Sequence, residues 1–412
     1  MEYVFYFDES FHDRKISIKE NGTINTLQEN DIDNYIGVFW GCEQKQLREN
    51  IGRLQAFESK YRKILTLPDG KEFKSDIITP KNYSYGIHSF NPMTMRFYMD
   101  FFSMLDEMKP IIQINAISKM EWGLRVIFKS GKSNFAVNWN AFFYSLTKYF
   151  ITYKPVDIIK SMYQVEDQES LLDFQRCLVQ GLRKISEAEQ GITRKEREAP
   201  AFFEIAKIIE SMELNSVFSR KIDFTYIPNF QGLCNLLNEK NIDKRRIKLM
   251  IDKEQRTFEA AEKYSFKKVV QRDSANVIQI RLSDFISGFF GRMIRGLMND
   301  LEASEKQITD STNIDKSALV DKRLLSIDWF VLDEQQFELY QMIYHVMILN
   351  CSYYWTTMTT SYCDEVCCFY SLIRYISSYA NYLEFSEISP KMHSERYNSC
   401  CIDELESHYR NM

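Results

Sequence analysis

Apolar residues recur along this chain with two different periods. The run Tyr3-Val4-Phe5-Tyr6-Phe7 is aromatic and β-branched, free of breakers, and ends in Asp8-Glu9-Ser10, which predicts a buried strand carrying a carboxylate pair at its C-terminal end. Tyr35-Ile36-Gly37-Val38-Phe39-Trp40 predicts a second strand, after which Leu47, Ile51, Leu54, Tyr61 and Leu65 fall at the spacing of a helix packed on a sheet. Pro68-Asp69-Gly70 marks a turn, and the short Glu72-Phe73-Lys74-Ser75 element after it places two charges on either side of an aromatic ring. A helix over 92–107, a strand over 111–117, a further strand over 124–128 and a hydrophobic helix from about Trp139 are expected next.

From 141 to 219 the pattern is helical, broken by polar stretches such as Thr193-Arg194-Lys195-Glu196-Arg197-Glu198, which has the character of a solvated face. Alternation of strands and helices resumes over 221–226 and with a helix over 232–239. Ile247-Lys248-Leu249-Met250-Ile251 then predicts a second strand capped by a carboxylate, Asp252. A helix over 254–264, short strands near 268–271 and 277–280, and a helix over 282–297 complete this part. Beyond a polar linker at about 302–322 the remainder is helical and rich in Tyr, Cys and Met. The expected organisation is an α/β core in two parts, 1–140 and 221–300, with a helical insertion at 141–220 and a helical C-terminal region at 301–412.

Composition narrows this picture. Hydrophobic residues at 45% and charged residues at 26% place the chain among folded globular proteins, and the scarcity of turn formers, 14 Gly and 8 Pro, disfavours turn-dense all-β folds. A net charge of -5 excludes a protein that grips nucleic acid with its whole surface, so such contacts need a local patch. The opening residues lack the basic region of a secretory signal, and nine cysteines are an odd set for a disulfide framework, so a cytoplasmic protein with free thiols is expected. The uncharged stretch 339–363 is long enough to cross a bilayer, yet Gln341, His345, Asn350 and the cluster at 357–361 make it too polar for lipid; a buried helix pair is the expectation, and no membrane partner. Cys363 and Cys367 fall inside an apparent helix, which does not suit a zinc loop.

The candidate chemistry lies in carboxylates. Parallel strands set side by side bring their C-terminal ends together, where ligands of open α/β sheets bind, so Asp8 and Asp252 are expected to converge. Asp284 sits on the late helix on a face shared with Gly288, Gly291 and Arg295, opposite the apolar stripe of Leu282, Phe285, Ile286, Phe289, Phe290 and Met293. Hard oxygen ligands of this kind suit Mg²⁺ or Mn²⁺ and a two-metal phosphodiester displacement. Glu9 competes with its neighbour for the same role. Lys74 is a candidate for orienting a phosphate, and Lys244-Arg245-Arg246, Lys267-Lys268, Arg292 and Arg295 are candidates for gripping a nucleic-acid backbone.

These residues also form a family pattern. The opening YFDES, the downstream EFKS, the strand ending in Asp252 and the segment Ile278-Gln279-Ile280-Arg281-Leu282-Ser283-Asp284-Phe285-Ile286-Ser287-Gly288 resemble the bacterial domain of unknown function 3800 family. The resemblance spreads over about 1–296, with Phe11 and the Arg281-Leu282-Ser283 stretch departing from the usual residues. It implies an RNase H-like mixed sheet with flanking helices and a metal-dependent nuclease of antiphage defence or toxicity, in which Asp8, Glu72, Asp252 and Asp284 are catalytic metal ligands and Lys74 belongs to the Glu-x-Lys element. DNA or RNA is then the substrate, and the C-terminal helices are the expected place for a homo-oligomer or a partner protein. The alternative is a non-catalytic module of the same fold that binds nucleic acid or regulates a partner.

Overall fold

The computed structural model describes residues 2–10, 33–128, 131, 136–214, 225–303, 324–349, 356–358 and 360–409. Its centre is a six-stranded mixed sheet in the order β5-β4-β1-β2-β3-β6. The strands are β1 (Tyr3–Ser10), β2 (Asn34–Glu43), β3 (Ile111–Ser118), β4 (Ile247–Ile251), β5 (Lys268–Gln271) and β6 (Thr356–Met358). β2 runs antiparallel to both β1 and β3, whereas β1 with β4, β4 with β5, and β3 with β6 are parallel. The chain is therefore α/β, as its patterning predicts.

Helices cover both faces because strand residues alternate between them. Val4 and Tyr6 of β1, Ile36, Val38 and Trp40 of β2, and Ile112 and Ile114 of β3 enter the largest core. Against that face lie α1 (Gln44–Ile64), α2 (Pro92–Met108) and, further along the chain, α10 (Ile278–Ala303). Local chemistry sets the ends of α2: Pro92 opens it, the Asn91 side chain caps it by accepting from the Thr94 N–H, and Lys109 closes it in a left-handed conformation. Phe5, Phe7, Ile247, Leu249 and Ile251 point the opposite way, toward α8 (Ile227–Glu239) and α9 (Gln255–Glu262).

Between these parts stands a helical unit of α3 (Lys119–Phe128), α4 (Trp139–Tyr153), α5 (Val156–Tyr163), α6 (Gln168–Glu189) and α7 (Glu198–Ser211). It has a core of its own, which draws on residues from Met120 to Leu214 and takes in Tyr362. The strand expected over 124–128 is thus the second half of α3, and that expected over 277–280 is the first turn of α10; short apolar runs do not by themselves separate the two states. Lys195, placed by patterning in a solvated run, is buried between Glu189 and Glu198. The segments 221–224 and 304–323, within the expected strand and linker, lie outside the described residues.

The C-terminal region completes the main core. Trp329 and Phe330, then α11 (Glu334–Tyr344), α12 (Asp364–Ser377), α13 (Tyr382–Ser386) and α14 (Pro390–Tyr409) contribute Leu339, Tyr340, Phe369, Tyr397 and their neighbours to the core that holds Val4 and Trp40. The uncharged stretch is not the simple helix pair expected: α11 passes into a π-helical turn at His345–Leu349, and β6 then adds an edge to the sheet. Among the described residues no helix is long and apolar enough to cross a membrane. Cys363, Cys367, Cys368 and Cys401 are buried free thiols.

Candidate functional site

Two strand registers and one helix bring the predicted carboxylates to one end of the sheet. β1 and β4 pair in parallel up to Phe7 opposite Ile251, so the next residues on each, Asp8 and Asp252, stand side by side on strands about 4.8 Å apart. Period-two alternation fixes their direction. Asp8 follows Val4 and Tyr6, and Asp252 follows Met250, all facing the core under α10, the helix that carries Asp284. The intervening Glu9 turns to the other face, where its carboxylate accepts from the Tyr226 hydroxyl at 3.2 Å. The sheet thus separates Glu9 from Asp8, and Asp8 is the one directed at Asp284.

Each carboxylate is oriented by neighbouring donors. Asp8 Oδ1 accepts from the Glu9 N–H at 2.9 Å. Asp252 accepts from the N–H of Lys253 at 2.8 Å, from the N–H of Ser274 at 3.1 Å and from the Ser274 hydroxyl at 3.0 Å. Asp284 is held by Ser75, whose N–H donates at 2.6 Å and whose hydroxyl donates at 3.1 Å. A carboxylate offers about four lone-pair sites, so these contacts leave acceptor capacity on all three, most of it on Asp8.

The supports of these donors are equally specific. Arg292, one turn beyond Gly288 on α10, donates to the Ser75 carbonyl, with its other terminal nitrogen 3.4 Å from the Ser75 hydroxyl. A methyl group on Gly288 would stand 2.6 Å from Ser75 Cβ, so the glycine permits the Ser75 turn to lie on the helix. Arg281 is buried beneath the site, where it pairs with Glu58 and donates to the carbonyls of Ser274 and Ala275. It fixes the turn that orients Asp252.

Lys74 reaches the cluster from the element after the first turn signal, where the charges of Asp8 and Asp284 act on it, and Glu72 joins through Lys74, ion-paired at 3.1 Å with both side chains about one-third exposed. The other oxygen of Glu72, Oε1, is buried and has no hydrogen-bond partner. Arg295 is half-buried, three residues beyond Arg292 on α10. The other basic candidates lie elsewhere. Lys244-Arg245-Arg246 precedes β4 and Lys267-Lys268 opens β5, which puts both runs at the far end of the strands, about 17 Å from Asp252 along a five-residue strand. Their neighbours are local: Arg245 pairs with Asp243 and Lys267 with Glu2.

Electrostatics register the crowding of like charges. Burial raises the Asp8 carboxyl well above its usual range, and the charges of Asp284, Glu9 and Asp252 push it the same way against the Glu9 hydrogen bond. Burial also raises Asp284, less far, because Ser75, Arg292 and Lys74 oppose it. Lys74 is moved down by burial but further up by Glu72, Asp8 and Asp284, with a net rise. Among the described residues no three Asp, Glu, His or Cys side chains are grouped so as to hold a metal ion.

A second buried acidic group lies at the same sheet end, beyond β2. Glu365 of α12 accepts from the N–H of Asp33 at 3.2 Å, the N–H of Asn34 at 3.0 Å and the Asn34 amide at 2.8 Å, and burial beside Asp33 pushes its carboxyl up to about 7. Sequence patterning does not single out Glu365, Ser75 or Ser274, since their partners are fixed only by the fold. No family model matches the chain, and no curated protein or solved structure is significantly similar to it.

Proposed function

We propose that the chain is a divalent-metal-dependent nuclease on an RNase H-like sheet, with Asp8, Asp252, Asp284 and Glu72 as the ligands of Mg²⁺ or Mn²⁺. The observation that carries this reading is the convergence of Asp8, Asp252 and Asp284 on one side of the sheet end, with Asp8 acted on by the charges of the other two. A sheet order with the first strand inside the sheet and the second antiparallel to it supports the RNase H-like assignment, as does the family resemblance of the residues that converge. The donor set fits a hard cation: all ligands are oxygens, Glu72 Oε1 is buried without a partner, and the repulsion on Asp8 is of the kind a bound cation relieves. When bound, such ions generate a hydroxide nucleophile and stabilise the attacking and leaving oxygens of a phosphodiester.

The chain's own residues supply orientation. Ser75 and Ser274 aim Asp284 and Asp252, and hydrogen-bonded carboxylates of this kind are the usual outer support of metal ligands. Arg292 sustains Ser75 and places positive charge beside Asp284, and Arg295 follows on the same helix as a contact for the substrate backbone. The substrate is DNA or RNA, and the setting is the cytoplasm of a bacterial defence or toxin system, where the C-terminal helices meet another copy or a partner.

One observation favours a second reading, a non-catalytic subunit that binds nucleic acid or regulates a complex: among the described residues no three acidic, His or Cys side chains are grouped so as to hold a metal ion. Labelled DNA and RNA incubated with Mg²⁺ or Mn²⁺ separate the two. Cleavage by the parent that disappears in Asp8→Asn and in Asp252→Asn supports the nuclease. Cleavage that persists in both variants removes the assigned site, and binding without cleavage by the parent favours the subunit.

A further inference from the structure

The acidic cluster already contains a cation, and its placement predicts how the site admits another. Lys74 is adjacent in the chain to Ser75, whose N–H donates to Asp284, so its backbone is fixed beside the cluster. Its ammonium lies 3.1 Å from Glu72 and feels the charges of Asp8 and Asp284 as well. Arg292, the other cation acting on Asp284, is held by the Ser75 carbonyl and serves the fold of the turn. Lys74 differs in kind: it pairs with a carboxylate of the cluster through a flexible four-carbon stem and is about one-third exposed.

We propose that Lys74 is the resident counter-ion of the carboxylate cluster, held on Glu72 until a divalent cation displaces it, so that the ammonium and the metal ion compete for the charge of the same carboxylates. The inference rests on the nuclease reading and adds to it a regulation of cation uptake. Without a metal ion the ammonium offsets part of the repulsion between Asp8 and Asp284. Entry of a dication makes the ammonium a like charge at short range, and the stem lets it swing outward, toward the place of an incoming phosphate. Loss of the ammonium therefore strengthens metal binding while weakening the grip on substrate, a combination that a simple phosphate-binding lysine does not produce.

The test is direct Mn²⁺ titration of the full-length protein, followed by calorimetry and by the resonance signal of free Mn²⁺, for the parent, Lys74→Gln, Lys74→Arg and Asp8→Asn. Lys74→Gln is expected to bind Mn²⁺ about tenfold more tightly than the parent, Lys74→Arg to stay within about threefold of it, and Asp8→Asn to bind much more weakly. Thermal melts establish that each variant is folded. Equal or weaker Mn²⁺ binding by folded Lys74→Gln overturns the counter-ion role while leaving the nuclease reading intact. Absence of Mn²⁺ binding by both the parent and Lys74→Gln overturns both.

Discussion

The carboxyl of Asp8 shows how a buried acid held among like charges acts against stability. Its folded-state value lies above its unfolded one, so the native state holds the proton more tightly, and stability declines as pH rises from about 4 through the raised value. Asp284 contributes with the same sign. In the metal-free protein, Asp8→Asn is expected to flatten this decline and to melt roughly 1–3 °C above the parent at pH 7. A variant that melts well below the parent at pH 7 would show that the charge is compensated. Gly288 offers a second test, because an added methyl collides with Ser75. Gly288→Ala is expected to cost about 1–3 kcal/mol in urea denaturation and to abolish cleavage through loss of the Asp284 bonds. Gly52→Ala, in open space on α1, is expected to gain about 0.5–1 kcal/mol. At this scale the sequence revealed Asp8 and Asp252, since each ends a strongly apolar strand. It concealed Ser75, which meets Asp284 across 209 positions, and it made Lys195 seem solvated because its buried partners arrive only with the fold.

Elements were legible where their pattern was long. The run that forms β1 announces itself by uninterrupted β-branched and aromatic residues, β2, β3 and β4 by largely apolar runs, and the helical spacing from Leu47 to Leu65 coincides closely with α1. The failures were short apolar runs whose state is decided by packing: 124–128 joins a helix because it closes the core of the helical unit, and 277–280 begins the helix that carries Asp284. β6 escaped notice for the opposite reason, being three residues long and added to an edge already built. The link between α12 and the start of β2 is open to experiment. Glu365→Ala leaves the donors of Asp33 and Asn34 without their acceptor and is expected to lower stability by about 2–4 kcal/mol. Glu365→Gln keeps an acceptor oxygen and should cost less. Because the Glu365 carboxyl is raised to about 7, its contribution favours the folded state increasingly as pH falls from about 7 toward 4.5, and the Gln variant should lose that slope. Chemical denaturation of both variants at pH 5 and pH 8 checks the sign.

Over the whole molecule, the division into a core and a C-terminal extension describes the order of the chain better than its packing. Residues from Leu325 onward fill the same core as Val4 and Trp40, and Tyr340, Tyr375 and Tyr397 are interior rather than a docking face. Removal of everything after 303 is therefore expected to give an insoluble or loosely packed product that binds a hydrophobic dye, in contrast to the compact parent. A soluble truncated protein with a cooperative melt would contradict this. The parallel pairing of β3 with β6 has a further consequence during biosynthesis. A ribosome that has translated as far as residue 300 has already produced Asp8, Glu72, Asp252 and Asp284, yet the polypeptide that adds β6 and fills the core remains to be made. On the proposed nuclease reading, messages cut short before β6 would thus give chains that carry the carboxylates but lack the interior that holds them in place, and no cleavage of the host's own nucleic acid would be expected from such fragments.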